Sequence, residues 1–171
     1  EDQFKAGLGW GNVTSALRWN HIWSPKLFAN TTLTYSRYRF ETSNGYESRE
    51  LENRTVVSED KFDLLYFSGI NDVAGKIDFD FLPSPDHYVR FGANVILHTF
   101  KPGTFRAGYS SFEAGSDSFS FRADYSQDNV RATEFAAYVE DDWKISERIR
   151  INGGLHFSGF ALSGNPYFSL Q

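Results

Sequence analysis

Strict alternation of side-chain character constrains this chain more than anything else in it. From Lys76 the sequence reads Lys-Ile-Asp-Phe-Asp-Phe. An extended chain then carries Ile77, Phe79 and Phe81 on one side and Lys76, Asp78 and Asp80 on the other. Between Tyr88 and Thr99, the residues Val89, Phe91, Ala93, Val95 and Leu97 alternate with Arg90, Gly92, Asn94 and His98. Further on, Ile149, Ile151, Leu155 and Phe157 oppose Arg150, Asn152, His156 and Ser158, and near the start Leu27, Ala29, Leu33 and Tyr35 oppose Asn30, Thr32, Thr34 and Ser36. A period of two is the period of a strand, so the expectation is an all-β chain whose strands each have one apolar face.

The breaks between these runs repeat. Ser24-Pro25-Lys26, Ser84-Pro85-Asp86 and Ser146-Glu147-Arg148 read as short turns, about 60 residues apart. Each joins two predicted strands: Ala16 to Trp23 with Leu27 to Phe40, Lys76 to Leu82 with Tyr88 to Phe100, and Phe135 to Ile145 with Ile149 to Phe160. The segment from Arg131 to Lys144 also fits helical spacing. It is expected to be a strand, because the run from Ile149 needs a hairpin partner. Two polar stretches, Glu41 to Lys61 and Lys101 to Val130, read as long loops. Short turns alternating with long loops describe an antiparallel barrel.

Composition decides what such a barrel would face. The chain has 171 residues, with 17 Phe, 9 Tyr and 4 Trp but no Cys or Met, and a formal charge of −5. Its mean hydropathy is −0.46. Without Cys there is no disulfide framework or thiolate chemistry, and the acidic balance argues against a general nucleic-acid binder. The longest apolar run, Phe135 to Val139, is about five residues, far short of a transmembrane helix. No signal peptide precedes Glu1, and the missing initiator Met is expected to reflect processing or truncation. A soluble sandwich or lipocalin-like barrel would point the apolar faces inward. Three features favour lipid instead: long loops at one end, a charged opposite face, and aromatics beside the short turns. Trp19, Trp23, Phe79, Phe81, Tyr88 and Trp143 are the expected membrane girdle. The expectation is an antiparallel transmembrane β-barrel.

Two stretches resemble a known family. Gly9-Trp10-Gly11-Asn12-Val13-Thr14 runs into Leu17-Arg18-Trp19-Asn20-His21, and Lys26-Leu27-Phe28-Ala29-Asn30-Thr31-Thr32-Leu33-Thr34-Tyr35-Ser36 follows. Together they resemble barrel strands of TonB-dependent outer-membrane receptors of Bacteroidota. Ala137-Tyr138-Val139-Glu140-Asp141-Asp142-Trp143-Lys144-Ile145, with Ile149-Arg150-Ile151-Asn152-Gly153-Gly154-Leu155, is similar to that family's strand–turn–strand unit. The resemblance covers essentially the whole chain, all of it barrel. It implies active uptake of a bulky nutrient (glycan, siderophore or cobalamin-like), energised by the TonB complex, in some relatives under a surface lipoprotein lid. Neither plug nor TonB box is found in the sequence. About six strands are expected, so 171 residues read as a piece of a barrel of roughly 22 strands. The alternatives are a complete eight-stranded barrel, with Phe105 to Ser111 and Phe119 to Tyr125 as extra strands, or a soluble carbohydrate-binding β-domain. The chain end speaks against the complete barrel, since outer-membrane barrels usually finish on an aromatic residue in the last strand and this sequence stops at Ser169-Leu170-Gln171 after the loop signal Gly164-Asn165-Pro166.

No catalytic constellation emerges, and no enzyme activity, metal or cofactor is expected. His21, His87, His98 and His156 are scattered. Gly7, Gly9 and Gly11 precede a strand pattern where a phosphate loop needs a helix. The Asn-x-Thr triplets at Asn12, Asn30 and Asn53 read as chance. Ligand-path candidates are the polar residues of the wet face: Arg18, Asp78, Asp80, Arg90, Asn94, His98, Glu140 and Asp142. Cross-strand pairing of the carboxylates with Arg18, Arg90 or Arg150 is the competing use. Tyr46, Tyr109 and Phe112, with Phe119 and Phe121, are the loop aromatics placed to stack on a ligand or on one another.

Overall fold

A computed structural model describes residues 1–162 and 165–170. Eight strands follow one another: β1 (Asp2–Ser24), β2 (Leu27–Glu52), β3 (Thr55–Ser84), β4 (His87–Glu113), β5 (Phe119–Tyr125), β6 (Val130–Ser146), β7 (Ile149–Leu162) and β8 (Asn165–Leu170). They form one antiparallel sheet in the order β1-β2-β3-β4-β6-β7-β8, with β5 also on β4. The chain is all-β, as the alternation requires, and the ambiguous segment from Arg131 to Lys144 is strand.

The six expected strands are all present but longer, and two of the expected loops are largely strand. Glu41 to Lys61 is a hairpin whose only non-strand residues are Asn53 and Arg54. Both hold positive φ, 51° and 66°, the backbone of a two-residue hairpin turn whose twist matches the flanking strands. The polarity of this stretch reads as loop, but a hairpin solvated on one face needs few apolar residues. Lys101 to Val130 is strand up to Glu113 and again over β5. Phe105 to Ser111 is therefore the distal part of β4, paired with β5 from Phe105↔Tyr125 to Ser111↔Phe119. Since β4 also neighbours β6, β5 and β6 share one position in a simple meander. Gly164 of the expected terminal loop lies outside the described residues. Asn165 and Pro166 open β8, paired with Leu162 and Ala161.

The three short turns share one device. Ser24 Oγ accepts from Lys26 N (3.2 Å), Ser84 Oγ from Asp86 N (3.3 Å) and Ser146 Oγ from Arg148 N (3.3 Å). Each serine satisfies a turn amide that no ladder reaches. Adjacent hairpins are tied at these turns by Leu82 N→Lys26 O (2.8 Å) and Lys144 N→Asp86 O (2.7 Å).

The described chain has no packed core. Ala29 and Ala132 are its only buried apolar residues. Two units can be distinguished; β1 to β4 run through both, β5 lies in the first, and β6, β7 and β8 lie in the second. One comprises Glu1–Asn12, Tyr38–Ile70 and Phe100–Asn129; the other comprises Val13–Arg37, Asn71–Thr99 and Val130–Gln171.

Candidate functional site

In the second unit, containing the short turns, the two sheet faces differ sharply. The β6–β7 register puts Tyr138↔His156, Glu140↔Gly154, Asp142↔Asn152 and Lys144↔Arg150 on one face, and Val139↔Leu155 and Trp143↔Ile151 on the other. Along β4 the polar-face residues Asn94 and His98 are half-buried, while Ala93, Val95 and Leu97 are exposed. On β6, likewise, Tyr138, Glu140 and Asp142 are half-buried, whereas Ala137, Val139 and Trp143 are exposed. A water-soluble domain shows the reverse arrangement.

The polar face is covered because its side chains engage one another. Tyr138 donates to Asp78 Oδ1 at 2.9 Å, and Lys76 Nζ lies 2.9 Å from Asp78 Oδ2. Tyr88 donates to Asp80, and the Arg90 guanidinium stands 5.5 Å over the Tyr88 ring. Arg90 Nε pairs with Glu140 Oε1 at 2.7 Å. Space for this network comes from Gly92. A Cβ there would stand 2.6 Å from the Ile77 carbonyl oxygen and 2.9 Å from the Tyr138 ring. Four ligand-path candidates, Asp78, Asp80, Arg90 and Glu140, thus meet across β3, β4 and β6. Asp142 lies beyond them, 3.9 Å from Arg150. His98 belongs to a separate group, with Asp72 Oδ1 at 2.8 Å and Glu134 Oε2 at 3.8 Å. Asn94 lies between the two groups on β4. Arg18 is exposed on β1, apart from both. The geometry makes this face a cross-linked wall, and alternation alone did not reveal Tyr88 and Tyr138 as its organisers.

The apolar face carries the girdle candidates, with one exception. Trp19 stacks on His21 (5.2 Å), which meets Trp23 edge-on (4.5 Å). Phe79 stacks on Phe91 at 4.8 Å, and Phe81 follows Phe79 by two residues. Trp143 stacks on His87 (5.5 Å), which pairs with Asp141 at 2.6 Å. Tyr88 does not join them. Its contacts with Asp80 and Arg90 put it on the polar face, in phase with Arg90 two residues on. A groove of about 410 Å³ crosses the apolar face at Gly75, flanked by Leu33, Ile77 and Val95.

In the first unit, rings and charges separate onto different faces. Phe105, Ala107, Tyr109 and Ser111 pair with Tyr125, Ala123, Phe121 and Phe119, while Arg106, Gly108 and Ser110 pair with Asp124, Arg122 and Ser120 on the opposite face. Tyr66 lies 6.2 Å from Phe40 and 4.7 Å from Phe105, and Tyr109 lies 6.2 Å from Phe119. Tyr109 donates to Asp60 at 2.8 Å and Tyr46 to Asp2 at 3.1 Å. Phe112, three residues beyond Tyr109 on β4, falls on the other face. Elsewhere in the unit a charge ladder joins Lys5, Glu47, Arg49, Glu59 and Lys61, with Arg49–Glu59 at 2.6 Å and Lys61–Glu59 at 2.7 Å. The Lys61 ammonium and then the Arg49 guanidinium hold the Glu59 carboxyl below its ordinary value. Similarly, hydrogen bonds from Ser48 and Tyr46 lower Asp2.

Among the described residues, no group of three or more His, Asp or Glu is placed to share a metal ion. No protein-family model matches the chain, and no curated protein matches it.

Proposed function

We propose that this sheet is part of the wall of a large outer-membrane β-barrel that imports a bulky nutrient, as a TonB-dependent receptor does. The observation that carries this reading is the inverted exposure in the middle of β4 and β6, where Asn94, His98, Tyr138, Glu140 and Asp142 are half-buried while Ala93, Val95, Leu97, Ala137, Val139 and Trp143 stand open. Water penalises an open face of Leu, Val, Ile, Phe and Trp by about 25 cal/mol per Å². Hydrocarbon does not, and a paired β-ladder is one of the two backbones that hydrocarbon accepts. Stacked Trp and His near the short turns fit the membrane–water interface, where rings bury their bodies and keep a polar edge wet.

Strand length supports a large barrel. A tilted crossing takes about 9–11 residues, whereas β3 has 30 and β4 has 27. The membrane-crossing parts are assigned to the second unit and the ligand-receiving parts to the first. Resemblance supplies the rest of the reading: a Bacteroidota receptor, a plug, the TonB complex as energy source and a lipoprotein lid as partner. The complete eight-stranded barrel is less well supported, because β5 and β6 share one position beside β4.

Fractionation of cells carrying the native protein tests the reading. It is expected in the outer-membrane pellet, released only by detergent, with a mass far above that of 171 residues. Recovery from the soluble fraction without detergent contradicts it.

A further inference from the structure

We infer that the ring-bearing face formed by β4 and β5 in the first unit is a binding platform for a neutral oligosaccharide. The inference names the ligand class for the receptor proposed above, and rests on that reading only for the sugar's onward passage. Two cross-strand ring pairs, Phe105↔Tyr125 and Tyr109↔Phe121, flank the small pair Ala107↔Ala123. Phe105 and Tyr109 are four positions apart, roughly 13 Å along the strand. The result is a low floor between aromatic walls. Phe121 is 57% exposed and Tyr125 60%, so neither ring is consumed by packing. Tyr66 backs Phe105 at 4.7 Å, which fixes one wall.

Polar groups on the same side choose the ligand. The Tyr109 hydroxyl donates to Asp60 Oδ1 at 2.8 Å, which aims a carboxylate at the rings, and Ser111 shares their face by register. The nearby guanidinium groups are directed elsewhere. Arg106 pairs with Asp124 at 3.4 Å and lies over Phe67, and Arg122 is in register with Gly108, both on the opposite face. Rings with a carboxylate and a hydroxyl repel an anionic ligand. They suit one that offers C–H faces to rings and hydroxyl donors to oxygen, which is the chemistry of an uncharged sugar chain.

Calorimetry on the purified protein in detergent, with maltoheptaose, cellohexaose, xylohexaose and trigalacturonate, tests this. Binding to at least one neutral oligomer and none to trigalacturonate is expected. Tyr109→Ala and Phe121→Leu should each weaken binding about tenfold, and Ala107→Leu, which fills the floor without removing a ring, should abolish it. Phe112→Leu, on the other face of β4, should leave it unchanged. Far-ultraviolet circular dichroism confirms that each variant retains its sheet. The proposal is overturned by absence of binding to all three neutral oligomers, by preference for trigalacturonate, or by binding unaltered in the three platform variants. Such a failure leaves the membrane reading intact, whereas a detergent-independent protein that binds the sugar overturns the membrane reading alone.

Discussion

Gly92 shows how much a single position can decide in a sheet without a core. Its missing side chain lets the Tyr138 ring reach across β4 to Asp78, joining β6 to β3. Gly92→Ala places a methyl 2.6 Å from the Ile77 carbonyl oxygen, and backbone cannot yield as a side-chain tip can. The expected loss is about 1–3 kcal/mol, read as a lower urea midpoint at unchanged m-value. Arg54 makes the opposite case, with a φ of 66° that suits glycine. Left-handed backbone costs a non-glycine residue roughly 1–2 kcal/mol, and glycine's extra freedom in the unfolded chain takes back part of that gain. Arg54→Gly is therefore expected to raise stability by about 1 kcal/mol in the same assay. Neither effect was legible in the sequence. Alternation places Gly92 on the wet face without showing what it clears, and Asn53 stands out only as an Asn-x-Thr triplet. Alternation reports which side a residue takes, not which partner it meets across two strands.

At the scale of elements, the sequence was most informative where punctuation and period agreed. All three Ser-initiated turns form, because a serine, two turn residues and flanking alternation specify a hairpin locally. The Glu41 to Lys61 hairpin escaped because charge pairs take the place of apolar contacts there. The Lys5, Glu47, Arg49, Glu59 and Lys61 ladder predicts a pH dependence for this hairpin. Glu59 binds its proton less readily when folded than at its ordinary value of 4.5. Its contribution is fully present above about pH 4.5 and is lost as pH falls through the lower folded value. Hydrogen-exchange protection factors across Glu47 to Lys61 should therefore drop between pH 7 and pH 3 relative to those of β6 and β7. Glu59→Gln should reduce that drop, and an identical drop in the variant would count against the ladder.

Within each unit the sheet has two unlike faces, and among the described residues almost nothing apolar is buried. Fold class and the polarity of each face were readable in advance, since both follow from period two. The strand count was readable only in part: Phe119 to Tyr125, an extra strand of the eight-stranded alternative, is β5, whereas the six residues of β8 follow a loop signal, and the position β5 shares with β6 beside β4 leaves no mark in the alternation. Among the site candidates, Asp78, Asp80, Arg90 and Glu140 meet as one network. Arg18 stands apart, and Tyr88 exchanged the girdle for the network. If the apolar face meets hydrocarbon, a charge there is costly while one on the opposite face is not. Leu155→Arg should lose about 2–4 kcal/mol on folding into lipid vesicles, and Asn152→Arg much less.

The most direct measurement uses the absence of cysteine from these 171 residues. Val95→Cys, Val139→Cys and Leu155→Cys on the apolar face, and Asn94→Cys and His156→Cys on the polar face, each accept one nitroxide label in the full protein reconstituted in lipid vesicles, with any cysteine outside these residues replaced by serine. Collision with dissolved oxygen, which concentrates in hydrocarbon, and with a water-soluble nickel chelate should divide the sites by face. Labels at 95, 139 and 155 are expected to favour oxygen, and labels at 94 and 156 the chelate. Chelate access that is equal on both faces would contradict a membrane wall.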